Sequence, residues 1–193
     1  RLVVETVGSF AASEIRPRAR EANEARRLPP EVLERAHALG LVSNALPEEF
    51  GGGGERSAVT SALVVEELAW GDLSHALAIL SPALIALPVC DFGDAAQRSA
   101  WLPAFAGERF VPGSLAVVEP RLRFDPLRPA TRAERRPGGF ALTGEKCFVP
   151  WQEGGELVLV CAAADDGPAL FAISRDAAGL EASPERNMGI GAL

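Results

Sequence analysis

Leu115-Ala-Val-Val-Glu-Pro120 and Gly144-Glu-Lys-Cys-Phe-Val-Pro150 are the stretches on which the reading of this chain turns. Each reads as an apolar strand running into a polar turn. They lie in the part of the chain where the hydrophobic pattern has changed. Upstream, apolar residues recur at helical spacing; downstream, they come in short runs rich in β-branched residues and divided by Gly, Pro and Asp. The switch falls near Val111-Pro112-Gly113. The chain is therefore expected to be α+β, with an all-α helical domain over residues 1–112 followed by an antiparallel β domain over residues 113–193.

In Leu2–Glu24 the residues Leu2, Val3, Val7, Phe10, Ala11 and Ile15 mark a helix, kinked at Pro17. Pro29 and Pro30 open a helix over Glu31–Leu39, and Gly40 is placed to end it. Ser57–Trp70 is a further helix. Asp72 or Ser74 caps the next, which runs to Phe92. Asp94 caps Ala95–Ala106, and Gly107 stops it. The expected strands are Phe110–Val118, Gly139–Val149, Glu156–Ala163 and Ala169–Ser174, with Gly179–Ala182 as one more.

Composition bounds the function. Of 193 residues, 48% are hydrophobic and 23% charged, enough to bury a core. A net charge of −7 argues against nucleic acid as a partner. Against this acidic background Arg121, Arg123, Arg128, Arg132, Arg135 and Arg136 cluster. They read as a solvated loop between strands; the sharper alternative is a contact surface for a phosphate-bearing ligand or an acidic partner. Cys90, Cys147 and Cys161 show neither disulfide nor zinc spacing and read as buried apolar residues of a reducing, cytoplasmic compartment. No membrane span is expected, because Leu77–Val89 is short and holds Pro82 and Pro88. The first residue is not Met and the last residues read as mid-chain, so the native product is expected to exceed 20.3 kDa.

The residues alone assemble no catalytic constellation and no metal site. Gly51–Gly54 lacks the Lys-Ser/Thr of a phosphate loop and reads as a tight turn. Glu66 and Glu67 are adjacent, so on a helix they diverge by about 100° and form no convergent carboxylate pair. At least one of them is expected to be a buried or half-buried structural acid. His37 and His75 have no ligand partners at metal spacing and read as surface or packing residues. Trp70, Trp101 and Trp151 read as core or interface aromatics. No Gly-x-Ser-x-Gly elbow is present.

Several motifs in order do carry information. Leu39-Gly-Leu-Val is followed by Leu46-Pro-Glu-Glu-Phe-Gly-Gly. Then come Val65-Glu-Glu-Leu-Ala, Phe92-Gly-Asp-Ala-Ala-Gln-Arg with Trp101-Leu-Pro-Ala-Phe-Ala-Gly-Glu108, and Ala116-Val-Val-Glu-Pro with Asp125. Gly139-Phe-Ala-Leu-Thr-Gly-Glu-Lys146 and Asn187-Met-Gly close the series. In this order and spacing they resemble the acyl-CoA dehydrogenase family across nearly the whole chain. The resemblance implies a helical domain, a middle β-barrel domain and a C-terminal helical bundle, the last outside this sequence. It implies FAD lying against the middle domain, and an acyl-CoA thioester between the flavin and a glutamate base. That base usually comes from the bundle, so no catalytic residue is assigned here, and Glu66, Glu67 and Glu119 do not take its place.

Carried over residue by residue, the resemblance puts Leu115, Val117 and Val118 on the first flavin-edge strand, and Phe148, Val149 and Pro150 on the second. The family commonly has hydroxyl side chains at positions 118 and 150; Val118 and Pro150 have none. Leu77, Leu80 and Leu84 align with the helix that lines the acyl pocket, and Phe124 stands where the family has a serine that helps hold the acyl-CoA. The implied function is α,β-dehydrogenation of an acyl-CoA with hydride transfer to FAD, a reaction of fatty acid metabolism. The implied partners are acyl-CoA, an electron-transfer acceptor and sister subunits of a homo- or hetero-tetramer. The alternative is a non-catalytic, FAD-poor subunit of a hetero-oligomer. A weaker third is a free-standing acyl- or CoA-binding module.

Overall fold

The computed structural model describes residues 2–185 and 187–193. It divides into two compact units. One holds the chain up to Pro112 together with the tail 187–193; the other is Gly113–Glu185. The tail, read from the sequence as part of the β domain, packs instead with the helices. Ala192 is buried against Ala22, Leu28 and Ala78, and the Gly191 N–H donates to Asn23 Oδ1 at 3.1 Å.

The helical unit begins with α1 (Leu2–Phe10), passes through a π-type turn at Ala11–Ile15 and a 3₁₀ turn at Arg16–Arg18, and continues as α2 (Ala19–Ala25). The disturbance is the kink expected at Pro17. Proline has no N–H for the carbonyl four residues back, and its ring crowds that carbonyl, so the helix widens before it and tightens across it. Next come α3 (Pro30–His37), α4 (Ala58–Gly71), α5 (Leu73–Ile79), α6 (Ala83–Phe92) and α7 (Ala95–Ala106). The core joins Val7, Ala11 and Ile15 to Val32 and Ala36, to Val64 and Leu68, and to Ala76 and Ile79.

The single helix expected from Asp72 or Ser74 to Phe92 is two, interrupted at residues 80–82. Pro82 has no N–H to continue the ladder of α5 but serves well as the residue before α6. As one stretch, Leu73–Phe92 has the length and apolarity of a membrane span, which the shorter run Leu77–Val89 does not reveal; an 18-residue window within it has a mean hydropathy of 1.9. Of that window 56% is buried inside the protein, so its apolarity serves the helical core.

Helix starts follow the capping residues. Ser57 Oγ accepts from Thr60 N–H, and Asp72 Oδ1 from His75 N–H. Asp94 and Gln97 form a reciprocal capping box at the start of α7. Asp94→Ala is expected to cost about 1 kcal/mol of stability; an unchanged urea midpoint would show that the box is idle.

The tetraglycine is a turn. Gly51 and Gly54 have φ of +89° and +71°, and a Cβ on Gly52 would lie 2.1 Å from the Leu46 carbonyl oxygen.

The β unit is a five-stranded sheet built on β4 (Leu157–Ala164). Along one edge β4 pairs antiparallel with β5 (Gly167–Ser174) over its full length. Its other edge takes β1 (Ser114–Ala116) in parallel near its start and β2 (Arg132–Arg136) in parallel at Ala163. β3 (Gly139–Thr143) closes a hairpin on β2. The sheet is mixed and open, a departure from the all-antiparallel, barrel-like arrangement expected. The connections leaving β1 and β3 are long enough to let strands run parallel, which a tight hairpin forbids.

β2 lies inside the arginine cluster, where the sequence predicts a solvated loop. Only Ala133 of its five residues is buried, so the strand carries no alternating apolar signal. Phe110–Val118 pairs only at Ser114–Ala116, and Gly139–Val149 only as far as Thr143. Residues 179–182 follow two successive turns, closed by Ala177 N–H on Ser174 and Leu180 N–H on Ala177, and form no strand.

Candidate functional site

Residues 114–119 and 146–150 lie side by side in the β unit. Ser114 Oγ donates to the Pro150 carbonyl at 2.7 Å, and the Cys147 N–H to the Val118 carbonyl at 3.0 Å. Lys146 Nζ donates to the Val117 carbonyl at 3.1 Å and to Glu119 Oε1 at 3.0 Å. Two segments read as separate strands are thus one structure, although only residues 114–116 of either form ladder pairs.

Glu119 is the hub. It is only 4% exposed and accepts from Ala130 N–H, Thr131 N–H and Thr131 Oγ1, each at 2.8 Å. Arg121 Nε adds an ion pair at 3.1 Å, and the Lys146 side chain is 9% exposed. Burial by itself would raise the Glu119 pKa. The two backbone N–H groups, Lys146 and the Thr131 hydroxyl overcome that and hold it at about 2. Glu119 is therefore a fixed anion, unsuited to accepting a proton near neutral pH.

The six residues assigned to the flavin edge are not equivalent. Leu115, Val117, Val118 and Pro150 are half-buried. Phe148 is 61% exposed and has φ +53°, a left-handed conformation that an aromatic residue seldom adopts. Its N–H donates to Glu185 Oε2 at 2.9 Å. Val149 packs instead onto the sheet core of Ala116, Val158 and Val160, beside Trp151. Val149 remains half-buried, with its side chain engaged by that core. Trp151 carries the Arg175 guanidinium on its face at 4.1 Å, and Arg175 also donates to the Gln152 carbonyl, which anchors the end of the segment.

Of the residues assigned to the substrate, Leu77 (38% exposed) lies on α5, Leu80 leans on the helical core at the end of α5, and Leu84 is half-buried on α6. The break at residues 80–82 means that they do not share one continuous helix. Phe124 belongs to the other unit, half-buried in the loop after β1. Asp125 is committed locally, its Oδ1 accepting from Leu127 N–H at 2.9 Å.

Other groups weighed from the sequence have local roles. Glu66 is exposed and Glu67 half-buried over Gly8, in a groove of about 350 Å³ also lined by Ala12 and Trp70. His37 Nε2 bonds the Gly107 carbonyl at 2.8 Å, and fully buried His75 bonds Asp72 through Nδ1 at 2.8 Å. All three cysteines are free, and burial raises each thiol above its ordinary pKa, which keeps it a poor nucleophile. Among the described residues no three metal-ligating side chains gather. The sequence reading missed the Glu119–Lys146 pair; the only signal was two charged residues set inside apolar runs.

Comparison with known proteins gives this geometry its context. The family model for the acyl-CoA dehydrogenase N-terminal domain matches residues 1–109. The chain is 31% identical over 185 residues to cyclohex-1-ene-1-carbonyl-CoA dehydrogenase of Geobacter metallireducens, covering 93% of this chain and 48% of that protein. It is 29% identical over 189 residues to a probable medium-chain specific acyl-CoA dehydrogenase of Caenorhabditis briggsae, covering 93% and 46%. It thus spans about half the length of these curated relatives. A glutaryl-CoA dehydrogenase from Mycobacterium smegmatis, solved in complex with FADH2, matches all of this chain and 50% of its own at TM-score 0.86 and 26% identity. An acyl-CoA dehydrogenase from Bacillus anthracis complexed with FAD matches 99% of this chain and 33% of its own at TM-score 0.81 and 28% identity. More than half of the residues fall under the family model, and solved members run the length of both compact units: the chain belongs to the acyl-CoA dehydrogenase family.

Proposed function

We propose that the full-length protein is an FAD-dependent acyl-CoA dehydrogenase, an oxidoreductase acting on the α,β-carbons of an acyl-CoA thioester. The observation that carries the reading is the union of residues 114–119 with 146–150, held by Ser114, Cys147 and Lys146. The residues present suit one edge of a flat, polar-rimmed ring. Val118 and Pro150 offer half-buried apolar surface, Phe148 an exposed aromatic face, and the backbone N–H groups of Val118 and Val149 find no acceptor among the described residues. The solved relatives bearing FADH2 and FAD support the same cofactor here.

Bound FAD would supply the two-electron acceptor for the hydride leaving Cβ of the substrate. This chain's own residues bind and orient: Leu115, Val117, Val118, Phe148, Val149 and Pro150 toward the flavin, and Leu77, Leu80, Leu84 and Phe124 toward the acyl-CoA. The base that takes the α-proton is assigned to none of them. The same reading has the protein act in the cytoplasm as a homo- or hetero-tetramer that passes electrons to an electron-transfer acceptor. Its three free cysteines support a reducing compartment.

A second reading, the FAD-poor non-catalytic subunit, has one observation in its favour. Positions 118 and 150 offer no hydroxyl, and the hydroxyl of nearby Ser114 is already given to Pro150. The absorbance spectrum of the purified full-length protein separates the two. Stoichiometric bound flavin is expected; a preparation that stays colourless after addition of FAD would establish the second reading. Val118→Thr restores one donor at nearly the same volume and is expected to tighten FAD binding about fivefold, the equivalent of one hydrogen bond. Titration by flavin fluorescence checks it, and unaltered affinity would place the flavin elsewhere.

A further inference from the structure

The Lys146 ammonium group joins a backbone carbonyl to a buried carboxylate. It donates to the Val117 carbonyl at 3.1 Å while its charge is held by Glu119 Oε1 at 3.0 Å. The Val117 carbonyl and the Val118 N–H belong to the same trans peptide unit, so they point in opposite directions. With the carbonyl fixed toward Lys146, the Val118 N–H is fixed away from it. The carbonyl of Val118, on the next peptide, is held by the Cys147 N–H at 3.0 Å, which restrains the backbone on the other side of this residue. Among the described residues the Val118 N–H has no acceptor, which leaves it available to a ligand.

We propose that Lys146 is a positioning residue: through the Val117 carbonyl it presents the Val118 N–H as the donor to an acceptor atom on the rim of the flavin ring. This rests on the reading of the protein as a flavoprotein and deepens it. It accounts for the absence of a hydroxyl at Val118, because the donor comes from the backbone. It also gives the chain's only lysine a task that a surface cation does not perform. Glu119 acts one step further back, by holding Lys146 in place.

The experiment uses the full-length protein. Lys146→Met alone strands the Glu119 charge, so the informative variant is Glu119→Gln with Lys146→Met, in which both charges leave together. It is expected to keep the circular dichroism spectrum of the parent, to bind FAD about tenfold more weakly, and to shift the infrared carbonyl bands of the bound flavin. Lys146→Arg, which keeps the cation and its donors, is expected to retain parental bands. A folded double variant with parental affinity and bands would reduce Lys146 to a structural ion pair and overturn the proposal. A second measurement needs no variant: in protein labelled with ¹⁵N-valine, the Val118 amide proton should move downfield when FAD binds, and an unmoved resonance overturns it equally. A parent protein that takes up no FAD refutes the flavoprotein reading itself, a result distinct from either.

Discussion

Replacing Glu119 by alanine is expected to destabilise the β unit by about 3–5 kcal/mol, the largest effect of any single charged residue in that unit. The magnitude follows from what the carboxylate leaves behind. Lys146, 9% exposed, keeps its charge and loses its counter-ion. The N–H groups of Ala130 and Thr131 and the Thr131 hydroxyl lose their shared acceptor, and each buried group so orphaned adds a desolvation cost. Surface pairs such as Arg20–Glu24, with side chains 91% and 64% exposed, lack this leverage and are expected to cost well under about 1 kcal/mol when broken. Urea unfolding followed by tryptophan fluorescence measures the difference, and a Glu119→Ala loss no larger than that of Glu24→Ala would show the hub to be solvated.

The same carboxylate makes stability depend on pH in a stated direction. Its folded pKa of about 2 lies below the ordinary 4.5, so the folded state holds the ionised form more tightly than the unfolded chain does. The contribution is complete above about pH 4.5, falls as the pH drops toward 2, and is gone below that. Glu119→Gln should flatten the acid limb of the stability curve across this window. An unchanged limb would assign the acid sensitivity to other carboxylates.

Much of the helical unit was legible in the sequence because its signals are local. Ser57, Asp72 and Asp94 each cap the helix that follows, and Pro17 disturbs the helix it sits in. The break at residues 80–82 was obscured by the apolar run on either side of Pro82. The β unit was less legible, for two different reasons. Arg132–Arg136 is a strand by virtue of its partner β3, with one buried residue and no pattern of its own. The path of residues 144–150 is set by contacts to 114–118 that lie some thirty residues away in the chain, and no local propensity encodes them. The family resemblance placed both segments at the flavin edge, but it was silent on which side chains turn inward. Val149 turns into the sheet core while Phe148 turns out, which divides a trio that the alignment treats alike.

Gly144→Ala is expected to cost about 3 kcal/mol of stability, with loss of the geometry that joins residues 114–119 to 146–150. A Cβ there would lie 2.5 Å from Thr131 Oγ1 and 2.7 Å from both Thr131 Cα and Cβ. The Cα is backbone and the Cβ is fixed to it, so no rotamer change relieves the overlap. Thr131 has no room to retreat: its N–H and hydroxyl are given to Glu119, and its carbonyl accepts from Ala163 N–H at 2.8 Å, at the end of β4. The strain therefore breaks the Glu119 hub, shifts residues 144–150, or does both, and either route moves Lys146 away from Val117. Gly138→Ala is the control that isolates the cause. Gly138 has φ +85° but meets nothing within 4 Å, so alanine there costs only the left-handed backbone, about 1–2 kcal/mol, with no consequence for the hub. If close packing is what Gly144 protects, Gly144→Ala should lose both stability and FAD affinity, whereas Gly138→Ala should lose a smaller amount of stability alone. Equal losses in the two variants, measured by thermal midpoint and flavin titration, would mean that the contact with Thr131 yields without cost.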